Sequence, residues 1–276
     1  MYLQHFGLHE KPFSITPDPD FMLMTEAHEE ALAALEYGVY EQSGITVLTG
    51  DVGCGKTTLL RHLLARIPED EVCVGLVSNI HASLGDLMSW VMLAFELDAE
   101  GRTNAQNFRR LQEFFVAQYA AGKKVVLVID EAQNLAAADL EELRMLSNIN
   151  AEKDEILQIV LIGQPELRTM LTQPCMAQTA QRVTAEFHLG ALTLEETAAY
   201  VAHRLGVAGA SPELVDSGAI ELIHKFSAGV PRLINTLCDF ALAAAYGLDV
   251  PVVDADIVAA VAEQKPIGGL HQTVRC

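Results

Sequence analysis

A glycine-rich stretch with a single lysine, "GDVGCGKTT" at residues 50–58, carries the clearest chemistry in the sequence. It fits the pattern G-x-x-x-x-G-K-[ST] at Gly50, Gly55, Lys56 and Thr57. In this pattern the backbone N–H groups curl around a phosphate, the lysine neutralises the terminal phosphates and the hydroxyl ligates Mg²⁺. The stretch therefore predicts a bound nucleoside triphosphate with Mg²⁺. The predicted binding residues are Gly50, Asp51, Val52, Gly53, Cys54, Gly55, Lys56, Thr57 and Thr58.

A pair of acids, Asp130 and Glu131, ends the apolar run "VVLVIDE". We expect Asp130 to hold Mg²⁺ through water and Glu131 to orient or deprotonate an attacking water. An acid after a buried strand also occurs as a simple helix cap, so the pair gains its meaning from the phosphate loop. A further apolar run at 72–78 lies between the two motifs. Together these features predict a P-loop ATPase with an additional strand and a catalytic glutamate, and they disfavour simple kinases and GTPases.

Short apolar runs alternate with helical patterns through the first two thirds of the chain. The runs at 44–50, 72–78, 123–131 and 155–164 are predicted strands, and a helix is expected from Lys56 to about Arg66. This alternation predicts an α/β fold with a parallel sheet covered on both faces. Mostly helical sequence follows, opening with Thr193 and Glu196 in capping-box spacing. The predicted domains are an α/β domain at 1–190, a helical lid at 191–265 and a flexible tail at 266–276.

The overall charge is strongly acidic, with a formal net charge of −19 over 276 residues. Such a surface repels polyphosphates, so non-specific DNA binding is disfavoured. No membrane span and no secretory leader is visible in the sequence. The five cysteines are scattered without a CxxC pair, so neither a zinc site nor a disulfide framework is expected. These totals predict a cytoplasmic protein.

The chain resembles an AAA+ ATPase of the general secretion pathway protein A family (ExeA/GspA-like), which includes ATPases of exosortase and exopolysaccharide loci. The matching segments include "FGLHEKPFSITPDPDF", "VLTGDVGCGKTTLLR", "VLVIDEAQNL", "LEELRMLSNI", "QIVLIGQPEL", "AQRVTAEFHL" and "GVPRLIN". They run from residue 3 to about residue 236. The resemblance implies the AAA+ form of the P-loop fold, with a small C-terminal helical lid.

The resemblance also implies two polar residues that sense the γ-phosphate. Gln164 lies where AAA+ proteins carry the sensor-1 residue, and Arg232 in "GVPRLIN" lies where they carry sensor 2. A simpler role is open for each, because Gln164 precedes Pro165 at a helix start and Arg232 would suit an exposed helix. Both are nevertheless candidate catalytic residues beside Lys56 and Glu131.

An arginine finger donated by a neighbouring subunit is a further implication of the resemblance. Arg182 in "AQRVTAEF" falls where the family's box-VII arginine lies and is the candidate. The sequence departs from relatives at Glu186, where a basic residue is often found. Arg144 in "LEELRMLSNI" is the second candidate, and a structural ion pair is the alternative role for it.

Two smaller expectations concern the flanks of the nucleotide. By resemblance, the N-terminal segment packs near the adenine through Phe13 and Pro17, with ordinary core packing as the alternative. Cys54 is expected to contribute only its backbone, so any small side chain would suit that position. A thiol sensitive to oxidation beside the phosphates is the alternative role.

The function implied is Mg-ATP turnover coupled to assembly of a ring-like or filamentous homo-oligomer, or to remodelling of a partner in envelope secretion or exopolysaccharide export. The partner expected is an inner-membrane or export-machinery protein, so the chain would be cytoplasmic or peripheral at that membrane. Secretion-type members continue into a membrane span and a peptidoglycan-binding region, so we expect an excised domain or a shorter member. Two alternatives stay open: a DNA-binding transposition regulator of the MuB/TniB type, and an ATP-gated switch with negligible turnover.

Overall fold

The four predicted apolar runs form strands of one parallel sheet in the structure, which is a computed structural model. The residues described are 2–41, 44–78, 85–99, 101, 103–151 and 154–264. The sheet has five strands in the order β2-β3-β6-β1-β7, and every neighbouring pair is parallel. The α/β fold class is therefore confirmed. The strands are β1 Ile45–Gly50, β2 Val72–Val77, β3 Lys124–Ile129, β6 Leu157–Gly163 and β7 Val183–Leu189, and a separate hairpin pairs β4 Asn150–Ala151 with β5 Asp154–Glu155.

The register of the central strands aligns their carboxyl ends at one edge of the sheet. Thr49 of β1 is paired with Gly163 of β6, and Leu161 of β6 is paired with Ile129 of β3. On the other side of β1, Gly50 is paired with Leu189. The residues that directly follow β1, β3 and β6 consequently leave the sheet at the same edge, which is where ligands bind in open parallel sheets.

Helices connect the strands and build the rest of the chain. The predicted helix after the phosphate loop is found at Lys56–Arg66, with the bounds expected from the sequence. Among the helices of the described residues, none has the length and apolar character needed to cross a bilayer. The helices are α1 Tyr2–His5, α2 Glu26–Glu41, α3 Lys56–Arg66, α4 Leu87–Ala94, α5 Asn104–Ala120, α6 Ala137–Ser147, α7 Pro165–Leu171, α8 Ala177–Ala180, α9 Leu194–Val207, α10 Ser217–Ser227, α11 Pro231–Gly247 and α12 Ala255–Gln264.

The chain divides into two compact units, one of residues 28–52 and 60–189 and one of residues 1–27, 53–59 and 190–276. A unit boundary thus lies after Leu189, close to the domain boundary expected at 190. Residues 1–27 group with the helices beyond Gly190. The expected tail at 266–276 lies outside the described residues.

The core of the α/β unit is centred on strands that are buried along most or all of their length. Every residue of β1 and β6 is buried, and so are the five residues from Val125 to Ile129 of β3. Strands buried on both faces are mostly apolar, and the polar exceptions here include Gln158 of β6, whose Nε2 donates to the Thr46 hydroxyl of β1. Strand β7 lies at the sheet edge and its first six residues alternate between half-buried and exposed.

The core of the helical unit includes aromatic residues of the N-terminal segment. Phe13 is 2% exposed and Phe21 is 4% exposed, and both belong to one cluster with Val201 and Leu205 of α9 and Ile234 of α11. This finding supports core packing for Phe13. Helix α9 begins with the capping box expected from the sequence, in which the Thr193 N–H donates to Glu196.

A buried arginine ties this N-terminal segment to the helices. Arg204 of α9 is 6% exposed, and its guanidinium donates to the carbonyl oxygens of Pro12 and Ser14 and to the Tyr200 hydroxyl. The Tyr200 hydroxyl donates in turn to Asn235 Oδ1 at 3.0 Å, and Asn235 Nδ2 donates to the Ser14 carbonyl at 3.3 Å. Because an unpaired buried cation is costly, these contacts must all form for the segment to dock.

Candidate functional site

The phosphate loop has the backbone conformation that glycine permits. Gly53 and Gly55 have φ angles of +89° and +96°, which side-chain-bearing residues rarely adopt. A Cβ atom on Gly50 would lie 2.5 Å from the carbonyl oxygen of Leu189, so the strand end also requires glycine. Residues of this type and conformation leave backbone N–H groups accessible to an anion, and helix α3 begins directly afterwards at Lys56. The cradle therefore fits a phosphate group.

The side chains of the loop differ in their exposure. Lys56 is 8% exposed and Cys54 is 1% exposed, whereas Val52 is 55% exposed. Asp51 is also exposed, and Thr57 and Thr58 lie half-buried in the first turn of α3. The buried Cys54 is consistent with a position that contributes its backbone to the loop. Such a placement leaves no accessible thiol for the alternative role in oxidation.

Arg232 meets the phosphate loop through its backbone. It is the second residue of α11, and its N–H donates to the Gly53 carbonyl oxygen at 3.2 Å. A Cβ atom on Gly53 would lie 2.6 Å from the Cβ of Arg232. The first turn of α11 therefore lies directly against the loop that the sequence assigns to phosphates.

The two acids follow β3 in a strained turn. Asp130 is 7% exposed, its N–H continues the ladder to the Val77 carbonyl at 2.9 Å, and its Oδ1 accepts from the Glu131 N–H at 2.9 Å. Glu131 has a φ angle of +56°, in the left-handed region that non-glycine residues seldom occupy. Strained residues of this kind are concentrated at functional sites. Both acids lie at the carboxyl ends of the strands, the same side of the sheet at which β1 ends with Gly50.

Glu131 is held by two glutamine side chains. Gln133 Nε2 donates to Glu131 Oε2 at 2.6 Å, and Gln164 Nε2 donates to the same oxygen at 3.4 Å. Gln164 is the residue before α7, so the structure brings the expected sensor residue to the expected base. Gln133 was not among the predicted site residues. Its only signal was a polar residue two positions after Glu131 in "IDEAQ".

The two arginine candidates for a finger both have carboxylate partners in their own chain. Arg182 Nη1 donates to Glu155 Oε1 at 2.6 Å, and Nη2 donates to Asn148 Oδ1. Arg144 forms a bidentate pair with Glu141 one helical turn earlier, in which Nη2 donates to Oε1 at 2.6 Å and Nε donates to Oε2 at 3.0 Å, and this hydrogen bonding lowers the pKa of Glu141. The structural ion pair proposed for Arg144 is therefore present.

Arg182 lies at the sheet edge opposite the phosphate loop. It precedes β7, and its carbonyl oxygen accepts from the N–H of Ile45 at the start of β1. Seven strand residues separate it from the carboxyl end of β7, a distance of roughly 20 Å. Arg182 is therefore too far from the carboxyl edge of its own sheet to act there. An arginine that acts on the nucleotide of a neighbouring subunit would have to lie away from its own phosphate loop in this way.

Comparison with known proteins places this arrangement in a family. The model for the family described as "AAA domain" matches residues 39–171. General secretion pathway protein A of Aeromonas hydrophila is 43% identical to the chain over 247 residues, which is 89% of this chain and 45% of that protein. The chain thus spans less than half the length of this relative.

Solved structures share the fold at low sequence identity. The Aeropyrum pernix ORC2 protein, solved in ADPNP and ADP complexes, has a TM-score of 0.70 at 18% identity, covering 92% of this chain and 71% of that one. The Cdc6p protein of Pyrobaculum aerophilum has a TM-score of 0.72 at 16% identity, covering 93% and 71%. The Thermotoga maritima RuvB branch migration motor has a TM-score of 0.56 at 20% identity, covering 90% and 72%. These similarities confirm the fold, which is the P-loop fold expected from the sequence.

Proposed function

Because the chain belongs to the AAA-domain proteins related to General secretion pathway protein A, we propose that it binds ATP with Mg²⁺ and hydrolyses it. The observation that carries the proposal is the carboxyl edge of the sheet. There β1 ends at the glycine that opens the phosphate loop, and β3 ends at a strained acid pair whose second carboxylate is held by two amides. A purely structural role for Glu131 would not require the left-handed backbone conformation that this residue adopts.

The phosphate-binding roles follow from the chemistry of the loop. The backbone of residues 50–58 would bind the β-phosphate, and Lys56 would neutralise the β- and γ-phosphates. The Thr57 hydroxyl and the Asp130 carboxylate would hold Mg²⁺, which when bound offsets the phosphate charge. Arg232 lies at the start of a helix that contacts Gly53, and we assign its side chain to the γ-phosphate.

Hydrolysis requires an attacking water with a base beside it. Glu131 is the proposed base, since its carboxylate is oriented and half-buried at the edge where the loop begins. Gln164, whose amide already points at Glu131, would hydrogen-bond the water or the γ-phosphate. In this proposal residues 1–190 form the nucleotide-binding domain and residues 191–265 act as the lid.

Assembly into a homo-oligomer is the second part of the proposal. Arg182 is placed at the edge opposite its own phosphate loop, so it would serve the ATP of a neighbouring subunit in a ring or filament. Docking would require Arg182 to leave Glu155, which exchanges one carboxylate for the more highly charged phosphate. Assembly would therefore depend on bound ATP.

The biological setting proposed is envelope secretion or exopolysaccharide export, by analogy with the General secretion pathway relative. The partner would be an inner-membrane or export-machinery protein, and the chain would act in the cytoplasm or at the inner surface of that membrane. The alternative, ATP-dependent DNA binding in transposition, requires clustered basic residues, and the net charge of −19 argues against it.

Nucleotide binding and turnover by three variants test the proposal. Lys56→Ala should lose ATP affinity, because the loop loses its cation, whereas Glu131→Gln should bind ATP, fail to hydrolyse it and accumulate the assembled form. Lys225→Ala, an exposed lysine of α10, is the matched control and should behave as the wild type. The measurements are titration with a fluorescent ATP analogue, phosphate release and light scattering. Unchanged ATP affinity in Lys56→Ala, or unchanged turnover in Glu131→Gln, would refute the assignment.

A further inference from the structure

Both polar atoms of the Gln133 carboxamide are hydrogen-bonded, and each partner can act in only one way, as a donor or as an acceptor. Its Nε2 donates to the Glu131 carboxylate at 2.6 Å, and its Oε1 accepts from the main-chain N–H of Gln164 at 2.9 Å. An ionised carboxylate only accepts and a backbone N–H only donates, so the carboxamide has a single orientation that satisfies both. Gln133 thereby connects the end of β3 to the end of β6.

The surrounding backbone leaves room for this side chain. Gln133 lies on a short 3-10 turn, Ala132–Asn134, directly after the strained Glu131. A Cβ atom on Gly163 would lie 2.9 Å from Gln133 Oε1, so glycine at the end of β6 admits the amide. The contact thus depends on two separate segments: the left-handed Glu131 with the tight turn that follows it, and the glycine at the end of β6.

The two oxygens of Glu131 have different surroundings. Oε2 accepts from Gln133 at 2.6 Å and from Gln164 at 3.4 Å. Among the described residues, Oε1 of Glu131 accepts no hydrogen bond from a side chain or the backbone. A neutral amide orients a carboxylate without greatly reducing its basicity, whereas a neighbouring lysine or arginine would stabilise the ionised form and make it a weaker base.

We infer that Gln133 is a positioning residue that holds Glu131 through Oε2 and leaves Oε1 as the oxygen that accepts the proton of the attacking water. The inference rests on the proposed ATPase function and adds a residue to it. Gln133 does not touch the nucleotide in this scheme; it acts on the rate because a base contributes only when its lone pair points at the water. The shorter contact makes Gln133, rather than Gln164, the principal support of the carboxylate.

The test compares two substitutions that differ in charge but not greatly in size. Gln133→Met keeps the length of the side chain and removes the donor, so kcat should fall about 10- to 100-fold, as expected for one hydrogen bond to a charged group. The affinity for ATP and the KM should stay within about twofold, because no nucleotide contact is lost. Gln112→Met, an exposed glutamine on α5, is the matched control and should leave all three quantities unchanged.

The second substitution, Gln133→Glu, places a carboxylate where the amide donates at 2.6 Å. Like charges at this distance repel, so the Glu131 carboxylate should turn away from its present position and kcat should fall at least as far as in Gln133→Met, while ATP affinity stays within about twofold. A merely structural defect would also weaken ATP binding or lower the melting temperature of the variant.

A double substitution separates positioning from general damage. On the Glu131→Gln background, Gln133→Met should cause little further loss, because both changes act on the same base. A kcat within twofold of the wild type for Gln133→Met, or an equal loss on both backgrounds, would overturn the inference alone. A wild-type protein that binds ATP but does not hydrolyse it would refute the proposed function, and the inference would fall with it.

Discussion

Replacing Gly53 with alanine tests whether ATP binds the loop in the conformation that the structure shows. Gly53 has a φ angle of +89°, and its added Cβ would lie 2.6 Å from the Cβ of Arg232 and 3.3 Å from Cγ1 of Val230. The first of these contacts is with a side-chain atom close to the backbone of α11, so it cannot be relieved by a rotamer change. Either the loop or the first turn of α11 must move.

The magnitude follows from two costs. A residue with a side chain in a left-handed conformation loses about 1–2 kcal/mol, and an extra carbon in a packed contact costs about 1–3 kcal/mol. The present loop conformation therefore becomes less favourable by about 2–5 kcal/mol. If ATP binds this conformation, the affinity should fall by at least about 30-fold, since each 1.4 kcal/mol is a factor of ten. Because the loop can relax around the added carbon, we expect a loss of ATP affinity close to the lower end of this range.

The assay is a titration of each purified variant with a fluorescent ATP analogue in the presence of Mg²⁺. Gly206→Ala is the matched control, because Gly206 lies in α9 and its added Cβ would meet no atom within 4 Å. This control should bind ATP as the wild type does and should be more stable by about 0.5–1 kcal/mol, as alanine favours helix. Equal ATP affinity of Gly53→Ala and Gly206→Ala would refute the loop geometry as the binding conformation.

Other substitutions test the remaining assignments. Arg182→Ala should reduce ATP turnover about a thousandfold while monomer affinity for ATP is kept, and Arg144→Ala should not; the reverse result in phosphate-release assays would move the finger. Tyr200→Phe removes one acceptor of the buried Arg204 guanidinium, so urea unfolding should show a loss of about 1–3 kcal/mol, and an unchanged midpoint would contradict the network. Burial and two neighbouring carboxylates raise the pKa of Glu142, so its charged form is penalised in the folded state. Glu142→Gln should therefore raise the melting temperature at neutral pH and leave it unchanged at about pH 3, below the unfolded pKa, where the carboxyl is protonated in both states; a pH-independent difference would contradict this.

The parts of the fold that the sequence predicts well are those decided by local pattern. β1 and β3 are mostly apolar runs, of which β1 ends at Gly50 and β3 ends at Ile129 before Asp130, and such runs are typical of a buried strand. Helix α3 begins at Lys56, because the motif itself couples the loop to a helix N-terminus, and it ends before Pro68. In these cases the signal and its structural cause lie within ten residues of each other.

Two elements show where local pattern is insufficient. The fifth strand, β7, alternates polar and apolar residues and lies at the sheet edge, so it lacks the continuous apolar signal of its neighbours. Asp139 has the residue type of a helix N-cap, yet α6 begins two residues earlier, at Ala137. The Asp139 carboxylate instead accepts from the Ala136 N–H at 2.8 Å, which is the other half of a capping box.

Long-range contacts decide the rest. The N-terminal segment is held by Arg204, whose partners Pro12 and Ser14 lie about 190 residues earlier in the chain. The sequence around an arginine on a helix does not indicate that the arginine will be buried or that distant backbone carbonyls will accept its hydrogen bonds. The placement of Phe13 in the helical core follows from this contact.

The support of Glu131 combines both kinds of information. Its separation from Gln133 is only two residues, which in an ordinary helix would place the two side chains on different faces. They meet because Glu131 adopts a φ angle of +56° and the following residues form a 3-10 turn. The other end of the amide is then fixed by the N–H of Gln164, on a different strand end. A motif search therefore finds the acid, but only the folded sheet edge shows which neighbour orients it, and this is why the rate of the Gln133 variants is the sharper test of the site.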